Sequence, residues 1–438
     1  MKHVTFLHLV LELTEAGAVT RPVPEDPSSE VRLPDVEPET DHLGAITLPG
    51  TSIAGSLRAH VARRAPGAEV ALFGEVTADS ATPSAVRVLG SRLTTAAAGT
   101  VDLRQTAIDR TRGAARTSHL RHSRLVAAGT RFQVFLRLDD VAGAQEAVLL
   151  AGLATWQPLI GRAVTSGHGA ARLVSLHRGR CDLTTKEGLG TFLSAHGPEL
   201  VGAVATEPVP LADPTPREHL RIAFSLTSAL HVGSGASRSG PADGPGHEVT
   251  PVFRLAGLPA VPGTSLRGVL RSRSEYALRS LGLPACLDGG CGTCLPCGIF
   301  GHGGGHDDSS TTVGRRGRIR VLDAVIADPV VVTRSHVAID RFTGGALDGA
   351  LWTVEVVESG RFELVVERLD ATDHEWELAQ ALVRLVAQDL HDDVLGIGGR
   401  TTAGHGSVRM DDPDPGSLAV AQRTVRSLLA ACPVGTSS

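Results

Sequence analysis

Four cysteines fall within twelve residues, spaced Cys286-x4-Cys291-x2-Cys294-x2-Cys297. Thiolates at this spacing suit one tetrahedral zinc ion, and a site whose four positions are all filled by protein is structural. The spacing is tighter than in common zinc ribbons, so His302 or His306 is a candidate replacement for one cysteine. An iron–sulfur cluster is the competing occupant. Acids offer a second chemistry. Asp35 and Glu248 each stand fifteen residues before a Pro-Gly glycine (Gly50 and Gly263), in Asp35-Val36-Glu37-Pro38 and Glu248-Val249-Thr250-Pro251. Carboxylates at matching loop positions can hold a divalent metal such as Mg or Mn, or orient a ribose hydroxyl. Asp243 competes with Glu248 for this role in the second half.

These acids belong to a larger repeat. Leu48-Pro49-Gly50-Thr51-Ser52-Ile53-Ala54-Gly55-Ser56-Leu57-Arg58 returns as Val261-Pro262-Gly263-Thr264-Ser265-Leu266-Arg267-Gly268-Val269-Leu270-Arg271. Leu72-Phe73-Gly74 returns as Ile299-Phe300-Gly301, and Ala107-Ile108-Asp109-Arg110 as Ala338-Ile339-Asp340-Arg341. Gly161-Arg162 through Gly167-His168-Gly169 returns as Gly399-Arg400 through Gly404-His405-Gly406, one residue shorter. Four landmarks recur in one order, which marks an internal duplication.

Each landmark has a chemical reading as a polyanion contact. A helix opening at Pro-Gly-Thr-Ser presents free backbone N–H groups, a ready phosphate site near Ser52 and Ser265, with Arg58, Arg267 and Arg271 farther along the helix. Glycine loops let a backbone approach a ligand closely, and Arg162, His168, Arg400 and His405 add charge and donors. Residues 104–137 hold eight arginines, Arg110, Arg112 and Arg116 among them, against one acid, Asp109. So lopsided a run repels itself unless a polyanion lies near. Its shorter counterpart carries Arg341 and Phe342, the latter able to wedge between bases.

The elements that must position these residues follow from periodicity. Residues 3–13 and 220–230 alternate as half-buried strands do. A helix follows each Pro-Gly-Thr-Ser, with Thr51 or Ser52 as cap and Ile53, Leu57 and Val61 on one face, matched by Leu266, Leu270 and Leu278. Strands at 131–138 and 351–357, helices near 142–156 and 374–390, and last strands at 170–176 and 407–410 complete each half. Strand–helix–strand–strand–helix–strand is the ferredoxin-like order. The expected fold is α+β: two ferredoxin-like (RRM-type) domains at 1–206 and 218–438, joined by a Pro-rich linker at 207–217. The second carries a four-cysteine, zinc-binding insertion at 281–298.

The totals agree. A chain of 438 residues exceeds one ordinary core. It is 42% hydrophobic and 20% charged, with no apolar run long enough for a membrane span and no secretory leader pattern, so the expected location is the cytoplasm. The formal net charge of −5 excludes a uniformly basic protein, yet 40 of the 42 basic residues are arginine, the side chain that suits phosphate and stacks on bases.

As a set, Pro-Gly-Thr-Ser-x-x-Gly-x-Leu-Arg, the following Phe-Gly, Ile339-Asp340-Arg341-x-x-Gly344-Gly345-Ala346 and the terminal glycine loops resemble the RAMP superfamily of CRISPR-associated proteins. The likeness is to the backbone subunits that line up along guide RNA in type III effector complexes, and it spans nearly the whole chain. The double format is similar to the fused backbone subunits of type III-D. The resemblance implies a β-hairpin thumb in each half, near 106–130 and 333–348, that kinks the guide–target duplex. It implies crRNA, complementary target RNA and other effector subunits (a large polymerase-type subunit, further backbone and small subunits) as partners. It also implies that a loop aspartate before the first helix supports metal-dependent target RNA cleavage. Asp35 is the best match and Glu248 a conservative departure; both lack the family's Asp-Asn-Pro context. Two other readings compete. One is a guide-processing endoribonuclease using His42 or His119 as general acid or base; the other is a zinc-pinned protein-interaction scaffold.

Overall fold

The computed structural model describes residues 2–23, 34–77, 79–94, 99–235, 238–239, 248–287, 290–303 and 313–431. Asp243 and His306 lie outside the described residues. Two compact units divide the chain: Met1–Leu103, Arg121–Val164 and His168–Pro216 form the first, and Arg104–Leu120, Thr165–Gly167 and Arg217–Ser438 the second.

The first unit is built on β1 (His3–Leu13), α1 (Gly50–Arg64), β2 (Val86–Leu93), β5 (Arg131–Asp139), α2 (Gly143–Ala154) and β6 (Ala171–Asp182), together with the base of the hairpin of β3 (Thr100–Ile108) and β4 (Ala115–Val126), whose outer part, Arg104–Leu120, belongs to the second unit. Its central sheet runs β6-β1-β5-β2 with every pair antiparallel, the ferredoxin-like order. The residues Glu207–Pro208, expected in a linker, form a short strand along the outer edge of β6. Ile53, Leu57 and Val61 are buried along one face of α1, as their spacing requires. Alternation sends successive β1 residues to opposite faces. Leu7 and Leu9 are buried on one, while Val4 and Phe6 on the other join Leu200 and Val201 in a second core. The helix that supplies Leu200 and Val201, Gly197–Val204, and its neighbour Lys186–Ser194 were not foreseen. They cover part of a sheet face that RRM domains use for RNA. Strands β3 and β4 pair as a hairpin that leads into the central strand β5 through a turn at Ala127–Thr130, where Gly129 adopts a φ of 82°.

The second unit contains β7 (His219–Leu226), α3 (Gly263–Ser280), β8 (Ile319–Val321), β9 (Ala327–Ile339), β10 (Ala346–Arg368), α4 (Asp373–His391) and β11 (Val408–Met410). The order β11-β7-β10-β8 is again ferredoxin-like. Leu266, Leu270 and Leu278 of α3 share one core with Phe224, Phe362, Leu364 and the α4 residues Leu382 and Val386. Thr372 and Glu375 form a capping box that fixes the start of α4.

β10 is one continuous strand of 23 residues. Its first half pairs with β9 as a hairpin, and Arg361–Glu367 pairs with β7 in the central sheet. The run read from sequence as the third strand, 351–357, therefore belongs to the hairpin. Gly360 stands between the two parts with φ at 151°; a Cβ there would lie 2.4 Å from Ile326 Cγ2.

Candidate metal centre and nucleic-acid interface

The sulfur atoms of Cys286, Cys291, Cys294 and Cys297 lie within 4.8 Å of one another. Cys286 Sγ is 3.6 Å from both Cys294 Sγ and Cys297 Sγ, and Cys291 Sγ is 4.0 Å from Cys297 Sγ. Four sulfurs at about 2.3 Å from a tetrahedral zinc would be separated by about 3.8 Å, so the set fits. These cysteines could bind a metal ion such as zinc. The loop positions them through backbone N–H groups: Cys291 N donates to Cys286 Sγ and Cys294 N to Cys291 Sγ, each at 3.3 Å. Cys294 then caps the helix Leu295–Phe300, whose first turn holds Cys297. A hydrogen bond from Cys286 draws the Cys291 thiol down to about 5, and burial pushes Cys294 up to about 12. His302 is outside the cluster, with Nδ1 2.9 Å from the Gly303 carbonyl.

The arginines expected on α3 point inward. Arg271 donates to Gly301 O at 2.7 Å, to Glu275 at 2.8 Å and to Cys297 Sγ at 3.4 Å. Glu275 is fully buried, and Arg110 Nη1 of the β3–β4 hairpin tip reaches it at 3.0 Å within the second unit. Arg267 bonds the Phe300 carbonyl, and burial, followed by Arg271 and Arg110, lowers its pKa to about 10. Residues 267, 271 and 275 are four apart, one stripe of the helix. That stripe faces the cysteine-bearing segment. Glu275 went unnoticed in the sequence; its signal was the i,i+4 spacing from Arg271.

The openings of α1 and α3 differ from expectation. Their N-caps are Pro49 and Pro262, without a side-chain capping bond. Thr51 and Ser52 thus lie inside the first turn, and Ser52 and Ser265 direct their own N–H groups to the Pro49 and Pro262 carbonyls. The Gly263 amide donates to Asp323 Oδ1 at 2.6 Å, so a carboxylate already occupies that helix start. Arg58 is half-buried.

Both hairpins close on the same turn. Asp109 Oδ1 accepts from Thr111 N and Arg112 N, each at 2.9 Å, and Asp340 Oδ1 from Phe342 N and Thr343 N, each at 2.8 Å. These donors hold both carboxyls below the usual range. Gly113 and Gly344 follow at φ of 64° and 69°. Arg112, Arg116 and Arg341 are exposed, and Phe342 is 91% exposed at its tip.

The terminal glycine loops repeat one spacing of positive-φ residues. Positive φ recurs at Gly161, Ala163, Gly167 and Gly169 (93°, 54°, 90°, 72°) and at Gly398, Arg400, Gly404 and Gly406 (84°, 62°, 82°, 81°). Arg162 N donates to Ala18 O and Gly169 N to Ala16 O; Gly399 N donates to His231 O and Gly406 N to Ala229 O. A Cβ at Gly169 or Gly406 would come within 2.2 or 2.0 Å of a carbonyl oxygen, so glycine is required there. His168 and His405 are buried at equivalent places. The torsions correct the pairing of the arginines: Arg162 matches Gly399, and Arg400 matches Ala163. Arg162 is exposed, whereas the Arg400 guanidinium lies 5.4 Å over the Trp352 ring. Trp352 and its neighbour His336 carried no sequence motif.

Asp35 and Glu248 occupy corresponding positions in the strand topology. Each adjoins a short strand, Val36–Pro38 or Glu248–Thr250, that runs parallel to the second hairpin strand, with Val36 opposite Ser123 and Val249 opposite Thr353. Asp35 is exposed and its Oδ2 accepts from His122 N at 2.7 Å. The buried His122 ring stands 3.4 Å from Asp102, whose carboxyl is held low by Arg124. The Glu248 side chain lies outside what is described. His42 is exposed in a turn, and His119 is an exposed hairpin residue whose Nδ1 is 2.8 Å from Thr117 O.

Comparison with known proteins is consistent with this geometry. Residues 223–409 match the RAMP superfamily model, from β7 through the hairpin and glycine loop to β11. That match supports a CRISPR-associated RNA-binding function. No curated protein matches the chain. No helix among the described residues is long and apolar enough to cross a membrane.

Proposed function

We propose that this chain is a guide-RNA-binding backbone subunit of a type III CRISPR effector, with two RAMP-type domains in tandem. The observation that carries the reading is the repetition of one backbone. A ferredoxin-ordered sheet, an Asp-turn hairpin and a four-torsion glycine loop occur twice, and the family match covers one occurrence. RNA contacts come from the outward groups, Arg112, Arg116, Arg162, Arg341 and Phe342, with the phosphates neutralised by arginine. Arg110, Arg267 and Arg271 hold the protein together instead. The four cysteines take structural zinc.

Cleavage of bound target RNA is assigned to the first half. Asp35 offers one exposed carboxylate steadied by the His122 amide. A Mg or Mn ion would take its remaining oxygens from RNA and water, as such ions do. When bound, it would lower the pKa of a water and stabilise charge on the phosphate. Asp35 would hold that ion, and His122 N would fix the carboxylate's orientation.

The test is to co-express the chain with a CRISPR array and its neighbouring genes, purify through moderate salt, and sequence the bound RNA. Repeat-derived guides are expected. Loss of target cutting in Asp35→Ala, with guide binding kept, supports the assignment. Absence of RNA from an intact complex would overturn the function, and unchanged cutting by a variant carrying both Asp35→Ala and Glu248→Ala would overturn the cleavage site.

A further inference from the structure

The RNA-binding reading leaves open how the second unit recognises its ligand, and one cluster there is built for a base. His336 and Trp352 face each other across the β9–β10 ladder, with rings 5.7 Å apart and inclined by 15°. The glycine loop places the Arg400 guanidinium 5.4 Å from the Trp352 centroid. A left-handed backbone at a non-glycine residue (φ 62° at Arg400) sets that approach. Such torsions cost energy, and they persist where the surroundings hold them in place. Trp352 is 39% exposed, at the point where the hairpin leaves the covered body of the unit: the next residue, Thr353, is 1% exposed.

The surroundings suit an anionic polymer. Burial, then Arg400 and Arg334, keep the His336 imidazole below its ordinary value, and the same two arginines act on His405; Arg334 is itself paired with Glu358 at 2.7 Å, and Arg400 lies over the Trp352 ring. The cluster thus sets two stacked rings beside the Arg400 guanidinium. That combination takes unpaired bases by stacking and phosphates by charge.

The corresponding position in the first unit is His122, one residue before Ser123 as Trp352 is one before Thr353. His122 is buried, and its ring sits against Asp102. The platform is thus a property of the second unit, at the place where the first bonds Asp35.

We infer that Trp352, with Arg400 and His336, is a stacking site for an unpaired nucleobase of single-stranded RNA. The inference rests on the proposed RNA-binding function and names a site within it. The two units then hold RNA by different means at the same structural position: one bears a carboxylate and a sealed histidine, the other an aromatic stack.

Tryptophan fluorescence tests this directly, because Trp156 and Trp376 are only 3% and 2% exposed while Trp352 is not. The full chain is titrated with an adenylate oligoribonucleotide of about 12 residues, and with an abasic ribose-phosphate chain of equal length. The adenylate should quench emission, and Trp352→Leu should bind it at least about fivefold more weakly while binding the abasic chain unchanged. Trp352→Phe, which keeps a ring, should retain near-wild-type affinity and lose the quenching. Adenylate binding without quenching, or equal affinity in Trp352→Leu, would overturn the platform and leave RNA binding standing. Failure of the wild-type chain to bind either probe would overturn both readings. Should Trp352→Leu fail to fold, the quenching difference between wild type and Trp352→Phe decides.

Discussion

Glu275 is the residue whose loss should be felt farthest. It is fully buried, accepts a hydrogen bond from Arg271 at 2.8 Å and forms an ion pair with Arg110 at 3.0 Å. At an effective dielectric constant near 20, a unit pair about 3 Å apart attracts by about 5 kcal/mol, from which desolvation of both ions must be subtracted. In Arg110→Ala the carboxylate keeps Arg271, so the net cost should be about 1–3 kcal/mol. In Glu275→Ala, Arg271 and Arg110 lose the carboxylate they share, with the buried Arg267 close by, and about 3–5 kcal/mol should be lost. Arg110→Ala made in the Glu275→Ala background should then cost little or even stabilise. Urea denaturation of the four proteins gives the cycle. Trypsin gives the local readout, since Arg112, Arg116 and Arg121 of the hairpin are exposed and should be cut faster once the tip is released. A loss below about 1 kcal/mol in Glu275→Ala, with trypsin cutting unchanged, would show that the network is not an anchor.

Two further outcomes are expected. The purified chain should carry about one zinc, and cobalt in its place should show thiolate charge-transfer bands. Cys297→Ser should lose the metal and melt lower, and an equal melting temperature with and without metal would contradict a structural site. Asp140 accepts from Lys2 N at 2.6 Å and His3 N at 2.9 Å, and these bonds, His3 foremost, draw its carboxyl down to about 2. Its folded pKa is the lower one, so its contribution is full above about pH 4 and fades as pH falls toward 2. Asp140→Asn should flatten the acid limb of the stability curve in that window; matching slopes for both proteins would exclude the effect.

Much of the architecture was legible because it rests on local pattern. Ile53, Leu57 and Val61 announced α1, and the Pro-Gly-Thr-Ser repeat located α3. The cysteine spacing alone singled out the metal cluster. What was hidden depended on tertiary partners. An arginine stripe on a helix reads as a solvated face until something covers it, and here the cysteine-bearing segment does. The helices at 186–204 were hidden by Gly188, Gly190 and Gly197, which break up the helical pattern. His336 and Trp352 escaped for a geometric reason. Counting outward from the turn pair Ile339–Ala346 sets His336 opposite Gly349, and the register shift between Val337 and Ile339 brings Trp352 there instead. A bulge leaves no mark that a period-two reading can follow.

The unbroken strand β10 makes the second hairpin a lever cut from the same bar as the central sheet. Load on the tip near Phe342 passes along one backbone to the ladder with β7, past Gly360, where the two ladders meet. The β3–β4 hairpin meets β5 through the turn at Ala127–Thr130, so no single strand carries load from its tip into the first unit's sheet. Pulled by a bound strand, the second hairpin would strain its own core, whereas the first would load the Arg110–Glu275 pair that holds its tip.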